Sequence, residues 1–574
     1  MTPRTTDATG VLIRAFRAGA AASCALFWLF LMTPTTATAQ DTAAVDHFFD
    51  EYFHFKPSDA TAAGFHQFDT QLEDPSPAAR EAHIAFLRRA ESEFAAMPDS
   101  IDRDLVLAHV RGDLLELERI RMWEKNPDQY SSSMTNSIFI LMSRTFASAE
   151  ERLRSVVARE RQMPRALEIA RSNLKNAPRV YTEVAIEQMP GIIGFVEHDV
   201  PAAFSKVTDA KLNADFADAN GRVVEALRSY EKWLKSDLLP RSRGDFRLGA
   251  ELYRKKLEYD EMVDTPLDQL LRQGYDDLRR NQQAFRKVAA SVDPKKTPME
   301  IMDALAHDHP APDHLLEAFR NTLGGLRNYI VEHHIVTIPS DVPPIVEETP
   351  PFMRALTSAS MDTPGPYEGV AKEAFFNVTL PEAGWPPQTI EEWMEGFNRG
   401  TIVSTAVHEV YGGHYVQFLW VKQAPSKVRK LFGCSSNAEG WAHYNEQMML
   451  DEGYGNGDLK LRLGQLQDAL LRNARYIVGI QMHTGNMTFD QAVDFFVKEG
   501  YQTRAVALRE TKRGTSDPTY LVYTLGKLQI MKLREDYRKK MGTAFRLEEF
   551  HNEFLKQGFP PIVLVRRAML GDGK

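Results

Sequence analysis

His408 and Glu409 stand side by side in the run Thr401 to Gln417, TIVSTAVHEVYGGHYVQ. The residues leading into them, Thr401 to Val407, are apolar enough for a buried helix. A histidine and a glutamate inside such a run are costly unless they are paired or ligate something. In the H-E-x-x-H arrangement two histidines one turn apart hold zinc, and the glutamate acts as base towards a water. Here the expected second histidine is Gly412, and the next histidine is His414, six residues after His408. On a regular helix six residues turn through about 600°, which leaves the two imidazoles roughly 120° apart. They can share an ion only if the helix deforms between them, and Gly412-Gly413 is where it can. Spacing alone leaves two readings open: a metal pair across a deformed helix, or a glycine-capped helix end with two unrelated histidines.

The segment AEGWAHYNEQ, Ala438 to Gln447, offers a carboxylate as third ligand, Glu439. Two histidines and a glutamate with an open fourth position form a catalytic zinc arrangement. Glu446 lies two turns beyond Glu439 on the same helical face, where it would orient a ligand or face solvent. His443, one turn after Glu439, is the reserve ligand should His414 fail to reach. Elsewhere, His307, His309 and His314 fall in a proline-broken polar turn, and His333-His334 end an apolar helix; all five read as solvated.

These segments resemble a bacterial family of unknown function grouped with the thermolysin-like (gluzincin, peptidase MA) zinc metallopeptidase clan. Its hallmarks are H-E-x-x-P-G-H-H-x-Q and E-G-W-A-x-Y-x-E, represented here by His408 to Gln417 and Glu439 to Glu446. Gly412 stands in place of the proline and Tyr415 in place of the second histidine of the pair. Pro57 to Gly64, Leu248 to Tyr253 and Pro518 to Lys527 match further segments, so the likeness spans nearly all of the chain after residue 39.

The resemblance implies a zinc peptidase acting on oligopeptides through metal-activated water. In it His408, His414 and Glu439 hold Zn2+ and Glu409 is the base. Tyr523 is the first candidate donor to the oxyanion, and His483 the second. Arg513 and Arg534 could grip a substrate carboxylate, though a structural ion pair suits each as well. The same groups would serve a hydrolase of non-peptide amides or esters, and a non-catalytic peptide-binding descendant is the further alternative. The likeness also implies a mainly α fold, with a deep channel between two helical lobes.

The elements that must position these residues are themselves mostly helical. Apolar residues recur three and four apart over 79–96, 103–122, 148–173, 221–235, 266–288 and 458–482, with prolines between them. One β-prone run interrupts the helices, 375–380 in a proline-rich stretch before the metal segment. It reads either as an edge strand that pairs with extended substrate or as a structural hairpin. The expected organisation is a signal peptide over 1–39 and one catalytic unit over 40–574. The metal site falls in 401–447 and a C-terminal active-site segment in 472–534.

The signal reading rests on Arg4, Arg14 and Arg17, an uncharged run over 18–32, and Ala37-Thr38-Ala39 at the cleavage position. Cys24 is a poor lipidation site, because the apolar run continues past it. The expected address is the periplasm or the exterior, with no membrane insertion once the signal is cut. A net charge of −9 argues against nucleic-acid partners. Cys434 is the one cysteine beyond residue 39, so no disulfide forms within that part of the chain. It reads as a small buried residue rather than a nucleophile.

Overall fold

The computed structural model describes residues 39–350, 353–354, 357–382 and 384–571. The signal-peptide reading of 1–39 and Cys24 therefore lie outside the described residues, apart from Ala39. The described residues from 45 onwards cluster as one unit, and residues 39–44 open the helix Ala39–Phe55.

The periodic segments become helices whose ends follow local chemistry. Pro77–Ala95 starts at Ser76, whose side chain accepts a hydrogen bond from the Ala79 amide. The expected helix 148–173 is two helices, Ala149–Glu160 and Met163–Asn173. Pro164 accounts for the break: it has no N–H to donate and is best tolerated in a first turn, the place it takes in Met163–Asn173. Likewise 103–122 ends in a wider turn over 116–120, closed by Arg121 at φ 60°. Among the described residues no helix is long and apolar enough to cross a membrane.

Seven helices carry or buttress the candidate site: α1 (Leu267–Val292), α2 (Arg399–Glu409), α3 (His414–Val421), α4 (Ser435–Asp451), α5 (Leu459–His483), α6 (Arg504–Ser516) and α7 (Val522–Met541). α5 is the central member. It packs on α1, α2, α6 and α7, and most of its side chains are buried. α2 crosses α5 where Gly400 meets Gly464, a contact too close for a Cβ on either residue. α4 and α7 cross at Gly440 and Gly526 in the same way; a Cβ on Gly526 would overlap the Ser436 carbonyl oxygen. These glycines bring Glu439 and Tyr523 onto neighbouring helices at short range.

Among the described residues three strands form one small sheet in the order β1 (Ile345–Glu348), β3 (Phe375–Val378), β2 (Ala359–Asp362). β3 pairs in parallel with β1 and antiparallel with β2. The edge-strand reading of 375–380 is therefore wrong: Phe375–Val378 is the central strand, and both its edges are already hydrogen-bonded. The edge beside the metal segment is β2, which packs next to α2 and α3. Phe376 and Val346 bury one face of the sheet in the core that also holds Val407, Tyr415 and Trp441. A separate apolar core, containing Ile138, Leu153, Ile192 and Tyr230, lies among the helices of 127–238.

Candidate metal centre

α2 begins at Asn398, whose side chain accepts from the Gly400 and Thr401 amides at 3.0 and 3.1 Å. The helix ends at Glu409, and α3 starts afresh at His414. The expected deformation is thus a complete break. Gly412 takes φ +102°, a conformation closed to proline and unfavourable for any residue with a Cβ. A proline at position 412 would need a different backbone path. At Gly413 a Cβ would overlap the His408 carbonyl oxygen. The glycine pair folds the chain back on itself, and this reversal removes the 120° mismatch between the histidines.

His408, His414 and Glu439 converge: a ligand atom from each lies within 4.8 Å of the others. His408 Nε2 is 3.3 Å and His414 Nε2 3.4 Å from Glu439 Oε2. The two rings are nearly perpendicular, with centroids 4.8 Å apart. Among the described residues this is the one group of three such side chains spaced to hold a metal ion. Glu409 follows His408 directly. Its carboxylate has no hydrogen bond or ion pair among the described residues. Burial raises its pKa above the ordinary glutamate value, against the pull of His408 and His414.

A buried polar layer holds the ligands from behind. Glu446 Oε1 is 2.7 Å from His408 Nδ1, so this glutamate is an orienting partner and not a solvent-facing residue. Its other oxygen pairs with His443 Nδ1 at 3.0 Å, and Arg472 Nη2 lies 2.8 Å from Oε1. Burial works against the Glu446 charge, but Arg472 and His443 hold its pKa well below the usual range. His443 is fully buried, and burial pushes its pKa down to about 3. With His414 in reach, His443 acts as a neutral partner of Glu446. Arg472 escaped the sequence reading. The available signal was an arginine pair, Arg472 and Arg475, inside the otherwise apolar run of α5, where a charge requires a partner.

Tyr523 stacks over His408 with ring centroids 6.3 Å apart, and its hydroxyl accepts from Arg513 Nη2 at 3.0 Å. Burial raises its pKa, which keeps it a phenol. His483 is not in the cluster. It ends α5, eleven residues or about 16 Å along the helix from Arg472. Its Nε2 lies 2.7 Å from the Gly514 carbonyl, and its ring packs on Phe246 and Tyr253. The oxyanion role does not fit it, because that nitrogen is engaged with backbone at the far end of the helix.

Arg513 pairs with Asp517 at 3.1 Å, and Arg534 with Glu452 at 2.7 Å. Tyr415 sends its hydroxyl to the Val342 carbonyl, away from the ligands. His309 and His314 pair with Glu391 and Glu317 outside the cluster. A cleft of about 710 Å³ opens alongside. Its lining includes Phe418, which stacks on His414, Ala438, which precedes Glu439, and Asp517, which pairs with Arg513. Cys434 also lines it, but burial raises the thiol pKa, so it remains protonated and a poor nucleophile.

Fold and site together define a mainly helical protein with a partly buried two-histidine, one-carboxylate cluster at a break between two helices. The chain belongs to the family described as "Bacterial protein of unknown function (DUF885)", whose model matches residues 57–569. No curated protein matches it. Among solved structures it is similar to a candidate lipoprotein of unknown function from Shewanella oneidensis. That match has 28% identity and a TM-score of 0.75, over 92% of this chain and 99% of that one. It also shares its fold with a candidate lipoprotein from Colwellia psychrerythraea, at 18% identity and a TM-score of 0.79, over 93% and 99% of the two chains.

Proposed function

We propose that this protein is an exported zinc-dependent hydrolase that cleaves peptide bonds of oligopeptides. The observation that carries the reading is the convergence of His408, His414 and Glu439 beside an unpartnered Glu409. The residues fit a metal. Glu439 Oε2 is buried without a hydrogen bond, between two imidazole nitrogens. Two imidazoles and a carboxylate suit zinc. Its motifs support kinship with the thermolysin-like clan, and the lipoprotein description of the two relatives supports delivery to the cell envelope.

His408, His414 and Glu439 would hold the ion, with Glu446 fixing the His408 ring through Nδ1. When bound, zinc supplies Lewis acidity towards water and a carbonyl oxygen. Glu409 takes a proton from the attacking water and delivers it to the leaving amine. Its raised pKa brings it closer to the neutral range that such proton transfer favours. Tyr523 accepts from Arg513, so its own O–H is left to donate towards the developing oxyanion. Phe418 and the stacked Tyr523 ring exclude water from two sides of the histidines.

Metal analysis and peptide-library turnover on four proteins test the reading. The unmodified protein should carry about one zinc per chain. His414→Ala should lose it. Glu409→Gln should keep it while turnover falls about 10²–10⁴-fold, and Tyr523→Phe should cost about 10²-fold. A protein that takes up no zinc, or a Glu409→Gln variant of full activity, would overturn the proposal.

A further inference from the structure

Guanidinium groups crowd the Tyr523 side of the site. Those of Arg475, Arg472 and Arg513 lie 4.9, 5.7 and 5.9 Å from the Tyr523 ring centre. Each has a carboxylate. Arg472 pairs with Glu446 at 2.8 Å and Arg513 with Asp517 at 3.1 Å. Arg475 grips both oxygens of Glu510, at 2.7 and 2.9 Å.

Arg509 is the exception. It lies on α6 four residues, about 6 Å, before Arg513, and next to Glu510, whose oxygens Arg475 has already taken. Among the described residues it makes no hydrogen bond and no ion pair, although it is only partly exposed. Burial without a paired carboxylate lowers its pKa below the ordinary arginine value. Its guanidinium stands 5.3 Å from the Trp393 ring, and the Trp393 indole N–H donates to the Thr379 carbonyl just beyond β3. Arg509 therefore reaches from α6 towards the end of the sheet, one turn before the arginine that touches the candidate oxyanion donor. Of the four arginines here three are neutralised, and the surplus positive charge rests on Arg509.

We infer that Arg509 is a specificity residue that receives a carboxylate of the peptide substrate. This rests on the peptidase reading for its substrate class. An unpaired, partly desolvated guanidinium presents a planar fork that matches a carboxylate, and Trp393 fixes one side of the seat. The two arginines singled out by sequence, Arg513 and Arg534, are closed to this role by their ion pairs. Arg509 is open to it. The carboxylate can come from a free C-terminus or from an acidic side chain.

The test is calorimetric binding to the metal-free full chain, where no cleavage occurs, followed by turnover with zinc. The probes are an N-acetylated oligoalanine with a free C-terminus, its C-terminal amide, and the same amide ending in aspartate. The unmodified protein should bind one of the two carboxylate-bearing peptides, the free acid or the aspartate amide, roughly ten- to hundredfold more tightly than the plain amide. Arg509→Gln should abolish that difference, and Arg509→Lys should restore part of it, with thermal melts of both variants unchanged. Recovery of binding by the aspartate amide identifies an acidic side chain as the source; no recovery identifies the terminal carboxylate. No preference in the unmodified protein for either carboxylate-bearing peptide over the plain amide, or a preference that survives Arg509→Gln, would overturn the inference. Carboxylate preference without zinc-dependent cleavage upholds Arg509 and removes the hydrolase reading; cleavage without preference does the opposite.

Discussion

His408 is engaged at both ring nitrogens, by Glu439 at Nε2 and by Glu446 at Nδ1. Burial alone would lower its pKa, but these two carboxylates outweigh it and raise the value to about 9 in the metal-free protein. A zinc ligand must offer a free lone pair, so zinc binding requires His408 Nε2 to give up its proton. Below pH 9 apparent zinc affinity should therefore fall about tenfold for each pH unit, and above pH 9 this dependence should flatten. Competition against a chelator between pH 6 and 10 measures it. Glu446→Gln removes one of the two carboxylates, which should move the break to lower pH. It should also weaken zinc binding about 10–100-fold, the usual cost of losing an outer partner of a ligand. A zinc affinity independent of pH would show that His408 carries no proton for zinc to displace.

Where helices meet, glycine decides the geometry. Gly413→Ala would place a methyl on the His408 carbonyl oxygen, a backbone clash that no rotamer relieves. It should displace α3, and with it His414, so the variant should lose zinc even if it remains folded. Gly526→Ala would push α7 off α4 at Ser436. Zinc analysis with a urea titration separates the two: Gly413→Ala acts first on metal, Gly526→Ala first on stability. These same positions mark what the sequence could reveal. His408, His414 and Glu439 were legible because each is a ligand type in a recognisable motif. How His408 and His414 meet was open, since spacing does not distinguish a kink from a break, and the φ of Gly412 is a tertiary outcome. Long helices such as α5 were legible from apolar period, whereas the split at Pro164 passed unnoticed inside a strong amphipathic pattern. The sheet order was hidden. Strand-forming residues in 375–380 show a strand, but only the pairing of β1 and β2, from segments with weaker strand signals, shows that it is central. His483 and Arg509 differ by burial and partners, which composition does not display.

Across the whole chain, buried ionisable groups couple the fold to pH. Glu160 sits in the core of the helices over 127–238, far in sequence from the metal ligands, and is 1% exposed. One oxygen accepts from Asn220 at 3.0 Å and the other has no partner. Burial raises its pKa to about 8, and burial likewise raises that of Glu261 to about 7. A carboxyl whose pKa is raised by folding binds more protons in the native state than in the unfolded one. Its contribution is therefore fully present below the unfolded value, near 4.5, and is lost as pH rises through the folded value. The metal-free protein should lose stability between about pH 5 and 8, with Glu160 contributing a slope of at most roughly 1.4 kcal/mol per pH unit. Zinc opposes this trend, because its affinity rises with pH and a ligand stabilises the state it binds. The metal-free and zinc-loaded proteins should thus diverge in stability as pH increases. Glu160→Gln has the shape of the neutral acid and no proton to lose, so it should flatten the metal-free profile. The divergence caused by zinc should remain, since that comes from His408. Urea unfolding at pH 5 and pH 8.5, with and without zinc, resolves the two contributions. If Glu160→Gln leaves the metal-free slope intact, Glu160 is already ionised in the fold, and Asn220 with internal solvent must stabilise its charge.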